Sequence, residues 1–354
     1  MKPQKGQGAQ INPNNRFVAH HSEVENSYLE YLHNEGEEDI VRTEIIETFP
    51  KTILNKVPSP DVPMDWSLNP YQGCEHGCAY CYARPTHEYW GYSAGIDFER
   101  KILVKKNAAE LLEAKLRSKS WKVSPIVLSG NTDCYQPIDR QLEITRACLK
   151  VFLKFKHPVG IITKNALIQR DLDLIGALQS QNLIHVVVSV TTLNEDLRRV
   201  MEPRTASVQK RLQTIEKLAE IGVPVTVNMA PIIPGINSHE IFALLKAVKN
   251  AGALDAGYIM ARLNGPVAEV FSNWLTVNYP NKAEKVLNQI AASHDGQVGD
   301  SEFGRRMRGS GKMAEQIRDT FKLAHRKVFG DVKKLKLNCQ AFERPQVGGQ
   351  LGLF

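Results

Sequence analysis

Five short runs rich in β-branched residues recur through the middle of the 354-residue chain, and their spacing restricts the fold more than any other feature. The runs are Pro125 to Gly130, Pro158 to Thr163, Ile184 to Val190, Val223 to Met229 and Asp255 to Ala261, with starts 26 to 39 residues apart. Helical patterns lie between and before them. Asn107 to Arg117 is one, and Val208 to Ile221 is another, with Leu212, Ile215, Leu218 and Ala219 on one face and Gly222 as its stop. Strand-length runs separated by one helix of chain predict βα units, whose strands lie parallel because each crossover returns the chain to the same end of the sheet. A further run near Trp66 to Asn69 brings the count to six units. They occupy about 200 residues, fewer than the roughly 250 of a closed eight-unit barrel. The expected class is therefore α/β, an incomplete (β/α)6 TIM-like barrel.

The flanks differ in composition. Residues 1–60 mix Gly, Asn and acidic residues (Glu35, Glu37, Glu38, Asp39) and end in Val57-Pro58-Ser59-Pro60, which reads as an N-terminal arm or cap. The barrel is expected over 61–265, a basic helical extension over 266–338, and a Gly-rich tail over 339–354. With 42% hydrophobic and 23% charged residues, a disordered or collagen-like chain is excluded. No apolar run reaches the roughly 18 residues of a membrane span, and Met1 to Gln10 lacks the hydrophobic centre of a signal peptide, so the expected location is the cytoplasm, with no membrane partner.

The net charge of +7 is local in origin. From Arg305 to Lys336 eleven Lys and Arg face only Glu315, Asp319 and Asp331, an excess of +8 that leaves −1 for the remainder. Clustered cations release counterions from polyanions, so segment 305–336 is a candidate backbone contact for nucleic acid; the alternative is a solvated helix face.

Six cysteines are too sparse for a disulfide scaffold, yet Cys74, Cys78 and Cys81 fall within eight residues on a Gly-containing loop after the first expected strand. Three thiolates on one loop suit one metal centre with an open position. A zinc site would need a fourth ligand from His76, Cys134, Cys148 or Cys339.

The spacing Cys74-x3-Cys78-x-Tyr80-Cys81 after the first strand of a six-unit barrel resembles the radical S-adenosylmethionine (SAM) superfamily. The longer strings Asn69-Pro70-Tyr71-Gln72-Gly73-Cys74 through Arg84-Pro85, Asn131-Thr132-Asp133-Cys134-Tyr135-Gln136-Pro137, and Ser189 to Leu193 through Glu202-Pro203-Arg204 are similar to the branch known as DNA repair photolyases, spore photoproduct lyase-like enzymes. The resemblance covers about Lys5 to Gly330. It implies a [4Fe-4S] cluster on Cys74, Cys78 and Cys81 whose fourth iron is chelated by SAM, an external electron donor, and reductive cleavage of SAM followed by hydrogen-atom abstraction. It further implies that Tyr80 lies against the adenine, that Asp133 meets the methionine ammonium and that Lys164 or Arg204 meets its carboxylate. Ser189 and Thr191 would reach ribose or carboxylate, and Glu202 would take a ribose hydroxyl or pair with Arg204. The turn Pro231 to Gly235 resembles the family's adenine-side turn. Cys134, just after the second strand and expected to face the barrel mouth, stands where a catalytic hydrogen-atom donor would be; the alternative is a small buried side chain. Cys148 and Cys339 read as structural.

The chain closes on Gln350-Leu351-Gly352-Leu353-Phe354 after a Gly-Gly pair. Exposed apolar residues on a tether call for a docking pocket, and Gln350, Leu351, Leu353 and Phe354 are similar to the peptide by which bacterial repair proteins bind the sliding clamp. The expectation is thus a radical SAM enzyme acting on nucleic acid, most specifically in lyase-type repair of DNA lesions. The rivals are a radical enzyme modifying RNA, protein or a small molecule, and a zinc- or cluster-bearing nucleic-acid binding module without turnover.

Overall fold

The structure, a computed structural model, describes residues 4–17, 43–333 and 335–345. Its main sheet runs in the order β10-β9-β8-β7-β6-β3-β2. These strands are β2 (Leu54–Lys56), β3 (Trp66–Leu68), β6 (Ile126–Leu128), β7 (Val159–Thr163), β8 (Ile184–Ser189), β9 (Val225–Ile232) and β10 (Asp255–Met260). All six expected runs are present, paired in parallel in sequence order, and β2 closes the β3 edge antiparallel. Among the described residues β10 and β2 end this sheet without pairing to each other, so the barrel is incomplete.

The crossovers are α1 (Ala108–Arg117), α2 (Ile144–Lys154), α3 (Leu172–Gln179), α4 (Val208–Glu220) and α5 (Ile241–Asn250). Alternation along each strand sends Leu68, Ile126, Leu128, Ile161, Val186, Val225 and Val227 outward into one core with Leu112, Phe152, Ile175, Leu218 and Leu245 of these helices. Burial of each such side chain stabilises the fold by about 1.5–3 kcal/mol. The opposite face is different in kind. Neighbours across the strands there include Ser67, Val127, Gly160 and His185 in one row, and Ser189, Asn228 and Gly257 in another. Apart from Val127 they are small or polar, and most are only half-buried, so this concave face is open.

A second sheet, β1-β5-β4, carries no periodic signal in the sequence. It joins β1 (Glu44–Thr48), β5 (Lys101–Lys105) and the two-residue β4 (Tyr71–Gln72), which leads directly into the cysteine loop. After β10 come helices Val267–Asn278, Ala283–Ala292 and α6 (Gly311–Phe329). The last packs on α5, inserting Ile317, Phe321 and Ala324 into the main core, with the Phe321 and Tyr258 rings 4.5 Å apart. Residues 338–345 are seated on the outside of the barrel rather than free. Glu343 donates its N–H to the Phe155 carbonyl (3.0 Å), and the Phe342 ring packs edge-on against His157.

Candidate functional site

The cysteine loop leaves β4 through Gly73 and turns at Gly77, both at positive φ that favours glycine. Its backbone is pinned by Cys74 N–H to the Phe98 carbonyl (2.8 Å) and by Ala79 N–H to the Met201 carbonyl (3.0 Å). The fully buried Arg84 fastens it from below, donating twice to the Cys78 carbonyl (2.8 and 3.0 Å) and to the carbonyls of Ala94 and Gly95. Its remaining donor meets Glu99 Oε1 at 2.5 Å. Glu99 in turn accepts the backbone N–H groups of Gly8 (3.2 Å) and Ala9 (2.8 Å), so an N-terminal strap lies across the loop. Glu99 carries no signal that would single it out in the sequence, and the strap is visible only in three dimensions.

Above the loop stands a network of charged and hydroxyl groups. Tyr80 donates its hydroxyl to Glu202 Oε1, and the Thr191 hydroxyl donates to the same oxygen at 2.7 Å. Arg211 on α4 binds the other carboxylate oxygen at 2.5 Å and spans to the carbonyls of Ser189 (3.1 Å) and Ala206 (2.9 Å). Burial opposes ionisation of Glu202, but Arg211 and then Lys164, with the Tyr80 and Thr191 hydrogen bonds, hold it at about 2. Glu202 therefore pairs with Arg211, not with Arg204 as the sequence suggested, because the turn at Pro203 carries Arg204 to the other side. Arg204 donates to the Glu99 carbonyl (3.2 Å) and lies 3.8 Å from Glu75, and its buried Nε has no partner among the described residues. Lys164 directly follows β7, with its ammonium 6.0 Å from the centre of the Tyr80 ring, and no hydrogen bond or ion pair among the described residues engages that ammonium. Ser189 ends β8 on the concave face. Tyr80, Lys164, Thr191, Glu202 and Ser189 thus converge at the strand C-termini.

Two expected residues are placed differently. The Asp133 carboxylate accepts from the Thr163 hydroxyl (2.8 Å) and from the N–H groups of Tyr135 (2.9 Å) and Lys164 (2.8 Å), and lies 3.4 Å from His76 Nδ1. A carboxylate offers about four lone-pair sites, so this one is consumed by its own chain and locks the loops together. Burial would lower the His76 imidazole, but Asp133 and Cys74 raise it to about 9. Cys134 does not face the mouth. It has no exposed surface, lies in the main apolar core and is held through Ser129 and Thr145, with burial pushing its thiol up. Cys148 is buried in the same core.

The family model of the radical SAM superfamily matches residues 68–248, half of the chain. The chain belongs to the radical SAM superfamily. An uncharacterised protein of Mycobacterium tuberculosis is 33% identical over 237 residues, 66% of this chain and 70% of that relative. One from Methanocaldococcus jannaschii is 29% identical over 252 residues, 71% and 89% of the two chains. Among solved structures, spore photoproduct lyase complexed with a dinucleoside spore photoproduct superposes with a TM-score of 0.58 at 17% identity, covering 81% of this chain and 80% of that one.

A radical SAM enzyme uses a [4Fe-4S] cluster and SAM, and the donor set here fits them. Burial, reinforced by Glu202 at Cys78 and by Cys74 at Cys81, raises both thiols, while Lys164 opposes at Cys78 and Arg84 at Cys81. Such a set gains most when iron takes the protons' place. Among the described residues no group of three or more His, Cys, Asp and Glu is arranged to hold a single metal ion. A cubane takes each thiolate on a different iron, which three thiolates on one loop can supply.

The basic segment is partly spent inside the enzyme. Arg305 pairs with Asp300 (2.9 Å), Arg306 pairs with Asp61 (2.6 Å), and Arg308 donates to the Tyr258 carbonyl (3.1 Å). Arg308 is nonetheless exposed, as are Lys312, Arg318, Lys322, Arg326, Lys327, Lys333 and Lys336 of α6 and beyond. Gln350, Leu351, Leu353 and Phe354 lie outside the described residues. No described helix is long and apolar enough to cross a membrane.

Proposed function

We propose that this radical SAM enzyme acts on nucleic acid, and that its substrate is DNA carrying a lesion, resolved in a lyase-type repair reaction. The observation that carries the reading is the likeness to spore photoproduct lyase, which extends over 81% of the chain and so beyond the matched superfamily segment. The open, polar concave face supports it, since a barrel that packs its own interior has no room for a nucleotide.

In this reading Cys74, Cys78 and Cys81 hold the cluster and leave one iron for SAM. When bound, the two supply one-electron cleavage of a carbon–sulfur bond and the hydrogen-atom abstraction that follows. The chain's own residues orient and shield. Tyr80 offers its ring to the adenine, with its hydroxyl fixed by Glu202 and Thr191. Lys164, whose ammonium lies beside the Tyr80 ring, meets the carboxylate, with Arg204 as the second cation. Ser189 reaches the ribose. Asp133 positions His76 and the β7 end instead of binding ammonium directly, and Cys134, walled in by apolar side chains, is not assigned hydrogen donation. The electron comes from an external donor. On sequence grounds alone the reading extends to a sliding-clamp peptide at Gln350 to Phe354 and to the cytoplasm as compartment.

Anaerobic incubation of the reconstituted protein with reductant, SAM and ultraviolet-irradiated or intact DNA tests it. Repaired pyrimidines from irradiated DNA alone, with deuterium exchanged between substrate and 5′-deoxyadenosine, are expected. Turnover of SAM with no change in any DNA would overturn the DNA assignment and favour the RNA, protein or small-molecule rival.

A further inference from the structure

Beside the cysteine loop lies a cavity of about 380 Å³, within the size range of small-ligand pockets. Ser67 of β3 and Asn69 just past its end line one wall, Gln72 of β4 and Lys105 of β5 another, Asn131 after β6 a third, and Trp90 stands at the rim. Both stretches of chain flanking the cysteines border it. Gln72 lies two residues before Cys74, and Trp90 ends the short helix Arg84–Trp90 that comes after Cys81.

Three of the four amide heads in this cavity, those of Asn69, Gln72 and Asn131, are held by hydrogen bonds. Gln72 Nε2 donates to the Thr86 hydroxyl (2.6 Å), and Asn131 Nδ2 donates to the same oxygen (3.3 Å). Thr86 passes its own proton to the Ala83 carbonyl (2.6 Å). Asn69 Oδ1 accepts the Asn131 N–H (2.8 Å). Gln72 Oε1, Asn131 Oδ1 and Asn69 Nδ2 have no hydrogen-bond partner among the described residues, and the Asn55 amide and Ser67 hydroxyl add further donors and acceptors to the lining. The lining has no carboxylate, and its one ammonium, Lys105, already donates to the Asn69 carbonyl (2.8 Å). A neutral ligand edge with its own donors and acceptors is what such a set reads. Trp90 adds a flat face that is 45% exposed, although burying it would be worth far more than leaving it in water. Mixed amide donors and acceptors beneath an exposed indole match a heteroaromatic base, whose flat face stacks on the ring while its edge meets the amides.

We propose that this cavity takes a single extruded nucleobase, stacked on Trp90 and read along its hydrogen-bonding edge by Asn69, Gln72 and Asn131. The proposal rests on the nucleic-acid reading above and deepens it: one base is drawn out of the strand and held against the wall that carries the cysteines.

The test uses the full-length, anaerobically reconstituted enzyme and a short fluorescein-labelled single-stranded oligodeoxynucleotide, either intact or with one central abasic residue, read by fluorescence anisotropy. The abasic residue and Trp90→Ala should each weaken binding by roughly 5- to 150-fold, the worth of one stacked base. Together they should weaken it no further than either alone, because they delete the same contact. Trp90→Phe should restore most of the affinity, and Asn131→Ala should change the preference among the four central bases while leaving affinity for the abasic strand as it was. If wild-type enzyme binds the oligonucleotide but Trp90→Ala has no effect, or its loss adds to that of the abasic residue, the base pocket is wrong and the nucleic-acid reading stands. If wild-type enzyme binds neither strand, both fall. Trp90 is a surface residue, and unchanged iron content and circular dichroism of the variants separate a binding defect from a folding one.

Discussion

Glu202 is fully buried, and the groups that hold its charge come from elsewhere in the chain: Arg211 from α4, Lys164 just after β7, Tyr80 from the cysteine loop and Thr191 just past β8. Its native pKa of about 2 lies below the ordinary glutamate value. The ionised form therefore contributes stability that is complete above about pH 4.3, the unfolded value, and is lost as pH falls toward 2. Glu202→Gln leaves Arg211 buried without a counter-charge and should cost about 3–5 kcal/mol. Urea unfolding at pH 7 checks the magnitude, and the variant's stability should lose the wild type's decline over that acid range. The sequence offered the right carboxylate and the wrong partner. Arg204 is two residues away, but the turn at Pro203 faces it toward Glu99, while Arg211 reaches back from the first turn of a helix. Asp133 and Cys134 failed similarly. Adjacent loop residues point different ways, and spacing alone does not say which of the two enters the core.

At the scale of elements, the strands that carry the site were legible because parallel strands covered by helices are written as dense apolar runs. The β1-β5-β4 sheet was not, since its members are short, charged or edge-exposed, and pairing between residues far apart in the chain leaves no local period. The strap over the cysteine loop shows the same limit. A Cβ added to Gly8 would lie 1.7 Å from the Gly77 carbonyl oxygen, so no side chain fits unless the strap lifts. Gly8→Ala should cost about 1–3 kcal/mol, the usual range for overpacking. Because the strap holds Glu99 and hence Arg84, the variant should lose iron to a chelator several-fold faster than wild type, with its far-ultraviolet circular dichroism unchanged. Equal rates would show that the loop is held without it.

For the whole molecule, charge is distributed by depth. The first three arginines of the basic segment tie 300–308 to the barrel, and the cations free to meet a polyanion lie along the outer side of α6 and at Lys333 and Lys336 beyond its end. Replacing Lys322, Arg326 and Lys327 by Gln should lower the slope of log affinity against log salt for DNA by about 0.7–0.9 per lost phosphate contact. A slope equal to that of wild type would make this helix face only a solvated one. Composition located the excess charge, but only packing divides it into structural and available parts.

The floor of the barrel holds a consequence for how such enzymes diversify. Gly257 sits in the row with Ser189 and Asn228, and a methyl group placed there meets nothing within 4 Å, while at Gly160 it would touch only Val127 closely, at 3.3 Å. Side chains can be grown from such positions into empty space without disturbing the helix-backed layer that keeps the molecule folded. A lineage can thus resize what it admits by editing a few silent sites on the inner lining, and its choice of guest can drift while the iron-bearing rim is left as it was.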